Sequence, residues 1–153
     1  MLINLNDPVS PFSPHFKWGE ILQNNLIAKG YEGRNFNIIE NPEIMYYAII
    51  GSIMLEEYRT ELGYPINGES GHRPEIYNDV ILIDHGYKST RTSDHKYINS
   101  FAFDSDVKVT NINISKWKNI CIKYGFNWSI GLYTWGMHLG FRVGKDNRMW
   151  DNR

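Results

Sequence analysis

Thr92-Ser93-Asp94-His95-Lys96-Tyr97-Ile98-Asn99-Ser100-Phe101-Ala102-Phe103-Asp104 changes character partway along, from a polar turn to a strand. Phe101 and Phe103 alternate with Ala102 and Asp104, so a strand sends both rings to one face and Asp104 to the other. The turn ahead of it carries His95. Further on, Met137, Leu139 and Phe141 alternate with His138, Gly140 and Arg142, so His138 also leaves the apolar face. Two such strands in one sheet can present Asp104 and His138 to a single polar groove. Two imidazoles and one carboxylate hold zinc with its fourth position open, the catalytic rather than the structural pattern. Residue types alone are not specific, because a chain with five histidines and 17 acids supplies such trios readily.

Working outward, the remaining elements read as one α+β domain over residues 1–153, with helices packed on a small antiparallel sheet. Pro8, Pro11 and Pro14 make residues 1–15 an extended lead-in. Phe16 to Lys29 reads as a short helix stopped at Gly30, with Glu20 on its surface or capping it. Asn41-Pro42 supplies an N-cap followed by proline in the first turn, and Glu43 suits the positive end of the helix dipole. From there Ile44, Tyr47, Ala48, Gly51, Leu55, Tyr58 and Leu62 share one face of a long amphipathic helix that Gly63 ends. Tyr64 to Glu69 is extended. Val80 to Ile83 is a brief apolar run, and Lys88 to Thr92 a loop. Phe101 to Val109 is a strand and Asn111 to Tyr124 a second amphipathic helix. Trp128–Trp135 and Met137–Val143 form an antiparallel pair linked around Gly136. Residues 144–153 read as a polar tail anchored by Trp150.

Composition narrows the function. A chain of 153 residues with 42% apolar and 22% charged residues builds one core without staples. The net charge of -1, with no basic run, argues against a nucleic-acid partner, whose phosphates demand a clustered positive face. Cys121 is the only cysteine, which excludes a disulfide framework and a cysteine-based metal site. Its helical neighbours Trp117 and Ile120 mark it as a buried thiol rather than a nucleophile. No run has membrane-spanning length, and residues 1–8 lack the basic and apolar regions of a secretory signal.

Ser70-Gly71-His72-Arg73-Pro74-Glu75-Ile76-Tyr77-Asn78 resembles the S-G-aromatic-R-x-x-x-x-N signature of the zinc D-Ala-D-Ala carboxypeptidase family of peptidoglycan peptidases. Ser93-x-His95 followed by Ala102-x-Asp104 resembles that family's S-x-H-x-x-G-x-A-x-D motif, and His138 falls where its last zinc ligand belongs. Ser13-Pro14-His15-Phe16 with Glu20, Gly131-Leu132-Tyr133 and Arg142 are similar to one branch of the family. The resemblance spans residues 13 to 143.

It implies a metallo-DD-peptidase-like fold and a zinc ion on His95, Asp104 and His138. Arg73 would grip the substrate's carboxylate through its planar fork, with Ser93 beside it. Gly71 and Asn78 would shape the turn, and His72 would fill the aromatic position. The implied activity is cleavage of D-amino-acid-containing peptides of bacterial peptidoglycan, as a carboxypeptidase or endopeptidase. The alternative is a non-catalytic virion or structural protein that binds zinc or wall peptide on the same scaffold. Without a signal, the chain is expected to be made in the cytoplasm and to reach the wall after lysis or on a virion, as in phage-type members. Its partners would be wall peptide and other virion proteins, with no membrane insertion.

Two departures qualify the match. Asp104 stands nine residues after His95, two more than the family spacing, so the turn from Lys96 to Asn99 must absorb an insertion. Asp106 shares Asp104's strand parity and is an alternative ligand. No Asp or Glu occurs from Val107 to Lys145, so the acid that family members keep near the last histidine to accept a proton is missing. Trp135 and Gly140 stand where relatives carry it. Asp106, Asp94, Glu69 and His85 are the candidate bases, with Asp106 first by parity.

Overall fold

The structure is a computed structural model that describes residues 3–22, 38, 41–75, 78, 83, 86 and 92–153. Within them lie three α-helices, α1 (Trp18–Ile21), α2 (Pro42–Leu62) and α3 (Asn111–Lys123), and one sheet. Its strands are β1 (Gly68–Ser70), β2 (Ser100–Ser105), β3 (Asn127–Leu132), β4 (Met137–Arg142) and β5 (Arg148–Asp151), in spatial order β1-β2-β4-β3-β5. The fold is therefore a small α+β domain.

The long helix forms as its caps dictate. The Asn41 side chain accepts from the Glu43 N–H at 3.1 Å, and Gly63 at φ 76° closes the other end in the left-handed conformation. Its buried stripe of Ile44, Tyr47, Ala48, Gly51, Leu55 and Tyr58 lies toward the sheet and α3. A Cβ on Gly51 would fall 2.1 Å from the Phe101 ring, so this glycine sets how closely α2 approaches β2. α3 is capped by Thr110, whose side chain accepts from Asn113 N–H at 3.1 Å, and buries Trp117, Ile120 and Cys121. α1 covers four residues of the expected 16–29 helix, and residues 23–29 lie outside the described set. Glu20 caps it, accepting from the Lys17 N–H at 2.9 Å.

The apolar sheet face carries the expected alternation. Phe101 stacks on Phe141 at 5.5 Å, Phe126 on Phe141 at 4.3 Å, and Phe103 meets Phe16 edge-on at 5.9 Å. Each ring buried here contributes about 1.5–3 kcal/mol. The turn before β2 contains two left-handed residues, Tyr97 (φ 56°) and Asn99 (φ 49°). Such backbone is costly for side-chain-bearing residues, and tertiary contacts hold it. Tyr97 is fully buried and donates to the Ala102 carbonyl at 3.0 Å, while Asn99 N–H donates to Glu43 at 3.0 Å.

Three expectations need correction. The sheet is mixed, not antiparallel throughout, because β3 and β5 pair parallel. Residues 148–151 are accordingly an edge strand rather than tail. Strand β2 also stops at Ser105, short of the expected Val109, because Asn67 ties down the next residue, Asp106, through three hydrogen bonds of 2.7–3.1 Å. No helix among the described residues is long and apolar enough to cross a membrane.

Candidate metal centre

One row of cross-strand partners builds the site. Ser70 pairs with Asp104, Asp104 with His138, His138 with Gly131, and Gly131 with Trp150. Partners in register share a face, so these side chains stand on one side of the sheet. It is the side opposite Phe101 and Phe103. His95 joins from the 3-10 turn Asp94–Lys96 that precedes β2.

The three residues named from the sequence converge. His138 Nδ1 lies 2.8 Å and His95 Nε2 3.3 Å from the same oxygen, Asp104 Oδ1. One ligand atom from each lies within 4.8 Å of the others, and all three residues are buried. Asp104 rather than Asp106 completes this group. His95 Nδ1 is 2.7 Å from the Gly71 carbonyl, a contact only a protonated nitrogen makes, so in the neutral ring Nε2 carries a lone pair. That lone pair faces a carboxylate oxygen, two electron-rich atoms that a cation between them would reconcile. His138 Nε2 is buried and has no hydrogen-bond partner among the described residues, while its Nδ1 faces Asp104. The donor set, two imidazoles and a carboxylate, suits zinc.

Electrostatics keep the ligands in their binding forms. Burial, with the Arg73 guanidinium adding to it, pushes His95 down to about 4, so its ring is neutral at pH 7. Burial opposes ionisation of Asp104, but wherever the histidines carry the proton that faces it, their charge and hydrogen bonds outweigh burial and hold the carboxyl well below the usual range.

Gly71 and Arg73 show why the turn after β1 is built as it is. A Cβ on Gly71 would fall 2.1 Å from the Ile21 carbonyl, so only glycine lets this strand end lie against α1 and aim its own carbonyl at His95. Arg73 N–H donates to the His95 carbonyl at 2.8 Å. Its guanidinium donates to Asp104 Oδ2 at 3.1 Å and to Ser70 Oγ at 3.1 and 3.2 Å. Asn78 is buried, its N–H on the Pro74 carbonyl at 2.9 Å. His72 is buried against Tyr97, ring centroids 4.8 Å apart.

A cavity of about 390 Å³ opens on the triad, with Arg73 and Ser93 on its wall. Asp94 also lines it but is engaged, accepting from Ser129 Oγ at 2.6 Å and from Arg142 Nε at 3.2 Å. Asp106 and Glu69 do not reach this cavity. Asp106 is exposed and belongs to a second hollow with Lys108 and Trp135, and His85 lies outside the described residues. Trp135 is half exposed and stacks on Tyr133 at 4.6 Å.

Sequence reasoning passed over the opposite wall, which Tyr133, Arg148, Trp150 and Asn152 supply. The available signal was period two: Arg148, Trp150 and Asn152 alternate, as they must to share a strand face. Comparison of the chain with family models, with curated proteins and with solved structures returns no match.

Proposed function

We propose that this chain is a zinc-dependent peptidase that cleaves D-amino-acid-containing peptides of bacterial peptidoglycan, as a carboxypeptidase or endopeptidase. The observation that carries it is the convergence of His95, Asp104 and His138 in a buried group that opens on a cavity holding Arg73. Zinc held there would polarise the scissile carbonyl and acidify a water. The order of the Ser70–Asn78, Ser93–His95, Ala102–Asp104 and His138 motifs supports the substrate class.

The chain's own groups orient and hold. Gly71 fixes the His95 tautomer through its carbonyl, a role that commonly sharpens ligand orientation. Arg73 donates from Nη2 to Asp104 Oδ2 and from Nε and Nη2 to Ser70 Oγ, which holds Asp104 in place as a ligand that zinc would use. Its Nη1, without a partner among the described residues, remains for an oxygen of the ligand. Ser93, on the same wall, adds a hydroxyl that can donate to the peptide.

A second role is favoured by a specific observation. The cavity's carboxylates among its described lining are Asp104, a metal ligand, and Asp94, held by Arg142 and Ser129. Neither is free to take a proton, which suits a protein that binds zinc and grips wall peptide without cutting it. Metal analysis combined with digestion of defined peptidoglycan fragments separates the two. Stoichiometric zinc with released D-amino acid or split peptide supports the peptidase; zinc and peptide binding with no product at any pH from 5 to 9 leaves the binding role. Absence of zinc removes both.

A further inference from the structure

Two arginines line the triad's cavity, Arg73 and Arg148, and they are not equivalent. Arg73 is balanced by Asp104 at 3.1 Å. Arg142, just behind, is balanced by Asp94 at 3.2 Å. Arg148 is exposed and pairs with no carboxylate among the described residues. We infer that Arg148, lying on Trp150 at the β5 side of the triad, is the residue that receives a carboxylate of the ligand at this site. The identity of that ligand as a peptide rests on the peptidase proposal.

The geometry prepares Arg148 for this. Its guanidinium carbon lies over the Trp150 ring, 4.6 Å from the ring centre, within cation–π range. The ring beneath is itself fixed, its Nε1–H donating to the Tyr133 hydroxyl at 2.9 Å. A fork held against a fixed ring loses less freedom when it binds, and this raises affinity without any added contact. Its remaining N–H groups match a carboxylate in pairs.

The position is set by the sheet. Trp150 stands in the same cross-strand row as Asp104 and His138, and Arg148 lies two residues earlier on the same face. Trp150 is 4.9 Å from the His138 ring and 4.6 Å from the Arg148 guanidinium, which puts that cation no more than about 10 Å from the last ligand. An extended peptide covers that distance in about three residues. Arg73 stands on the β1 side of the row, Arg148 on the β5 side. A peptide lying across the triad therefore passes Arg73 on one side and reaches Arg148, within about three residues, on the other.

The test uses the zinc-loaded full chain with N-acetyl-D-alanyl-D-alanine and its C-terminal amide as probes. Binding is followed by calorimetry and by the Trp150 indole N–H resonance, assigned through Trp150→Phe. The acid should bind at least about tenfold more tightly than the amide, as a charge-assisted contact does, and only the acid should move the Trp150 resonance. Arg148→Gln should bring the two affinities together with zinc content unchanged, and Arg148→Lys should restore part of the gap. A wild type without acid preference, or an Arg148→Gln variant that keeps it, overturns the assignment. Cleavage without acid preference overturns the assignment and leaves the peptidase standing. Arg148-dependent acid binding without cleavage does the reverse, and failure to bind either probe overturns both.

Discussion

The Trp150 indole fills the space in which a side chain on Gly131 would stand: a Cβ there would fall 2.5 Å from the ring. The two residues are register partners across the parallel pair of β3 and β5. A strand with mostly exposed residues thus docks because its one large ring has a glycine to lie against, and in docking it covers the His138 ring at 4.9 Å.

Gly131→Ala should dislodge that ring. The clash is with a rigid indole rather than a flexible chain end, so overpacking should cost about 1–3 kcal/mol. Zinc content should survive, since the ligands sit on β2, β4 and the turn before β2. Peptide affinity should fall with the loss of the Trp150 wall. Thermal melts, zinc analysis and peptide titration on one preparation check all three; an unchanged melt together with unchanged peptide binding would show that β5 is dispensable to the site.

How much of this was legible in the sequence depends on which force places each element. The α2 helix was legible from Asn41 to Gly63 because local capping and a continuous apolar stripe fix it. The polar faces of β2 and β4 were legible because period two admits no other reading of Phe101–Asp104 and Met137–Arg142. The register that sets Asp104 opposite His138 was not, since alternation gives the face and not the partner. Strand β5 escaped because Arg148–Asp151 has almost no apolar pattern and owes its conformation to β3. Parity alone could not show that Asp106 would turn its carboxylate to Asn67 and line a different hollow, because parity presumes that the strand continues.

The ligand assignment is directly separable from its rival. Asp104 shares Oδ1 between both histidines, whereas Asp106 spends its carboxylate on Asn67 at 2.7 and 2.9 Å. His95→Ala, His138→Ala and Asp104→Ala should each lose stoichiometric zinc, while Asp106→Ala should retain it. Loss of zinc in Asp106→Ala with retention in Asp104→Ala would reverse the assignment.

Arg73→Lys addresses geometry at constant charge. Lysine can place one ammonium near Asp104 but cannot serve Ser70, Asp104 and a ligand oxygen from one plane. Zinc content should stay whole while peptide binding or turnover drops by about tenfold or more, the scale of a lost charge-assisted contact. Equal peptide affinity in wild type and variant would remove Arg73 from ligand recognition.

His72 gives a pH test that does not pass through zinc or substrate. Burial pushes its ring down to about 3, against an ordinary value of 6.5, so the folded protein keeps it neutral where the unfolded chain protonates. Above pH 6.5 the ring is neutral in both states and contributes nothing to the pH dependence. As pH falls below 6.5 the unfolded state takes up a proton that the folded state refuses, and stability declines by up to about 1.4 kcal/mol per pH unit until the folded value is reached. Phenylalanine keeps an aromatic ring against Tyr97, 4.8 Å away in the native pair, and cannot protonate. His72→Phe should therefore show a constant offset from wild type above pH 7 and a progressively shallower loss of stability from pH 6.5 to 4.5, with both proteins in the same metal state so that the ligand histidines cancel. Denaturant titrations at half-unit steps resolve this, and parallel stability curves over that range would mean that His72 titrates alike in the folded and unfolded chain.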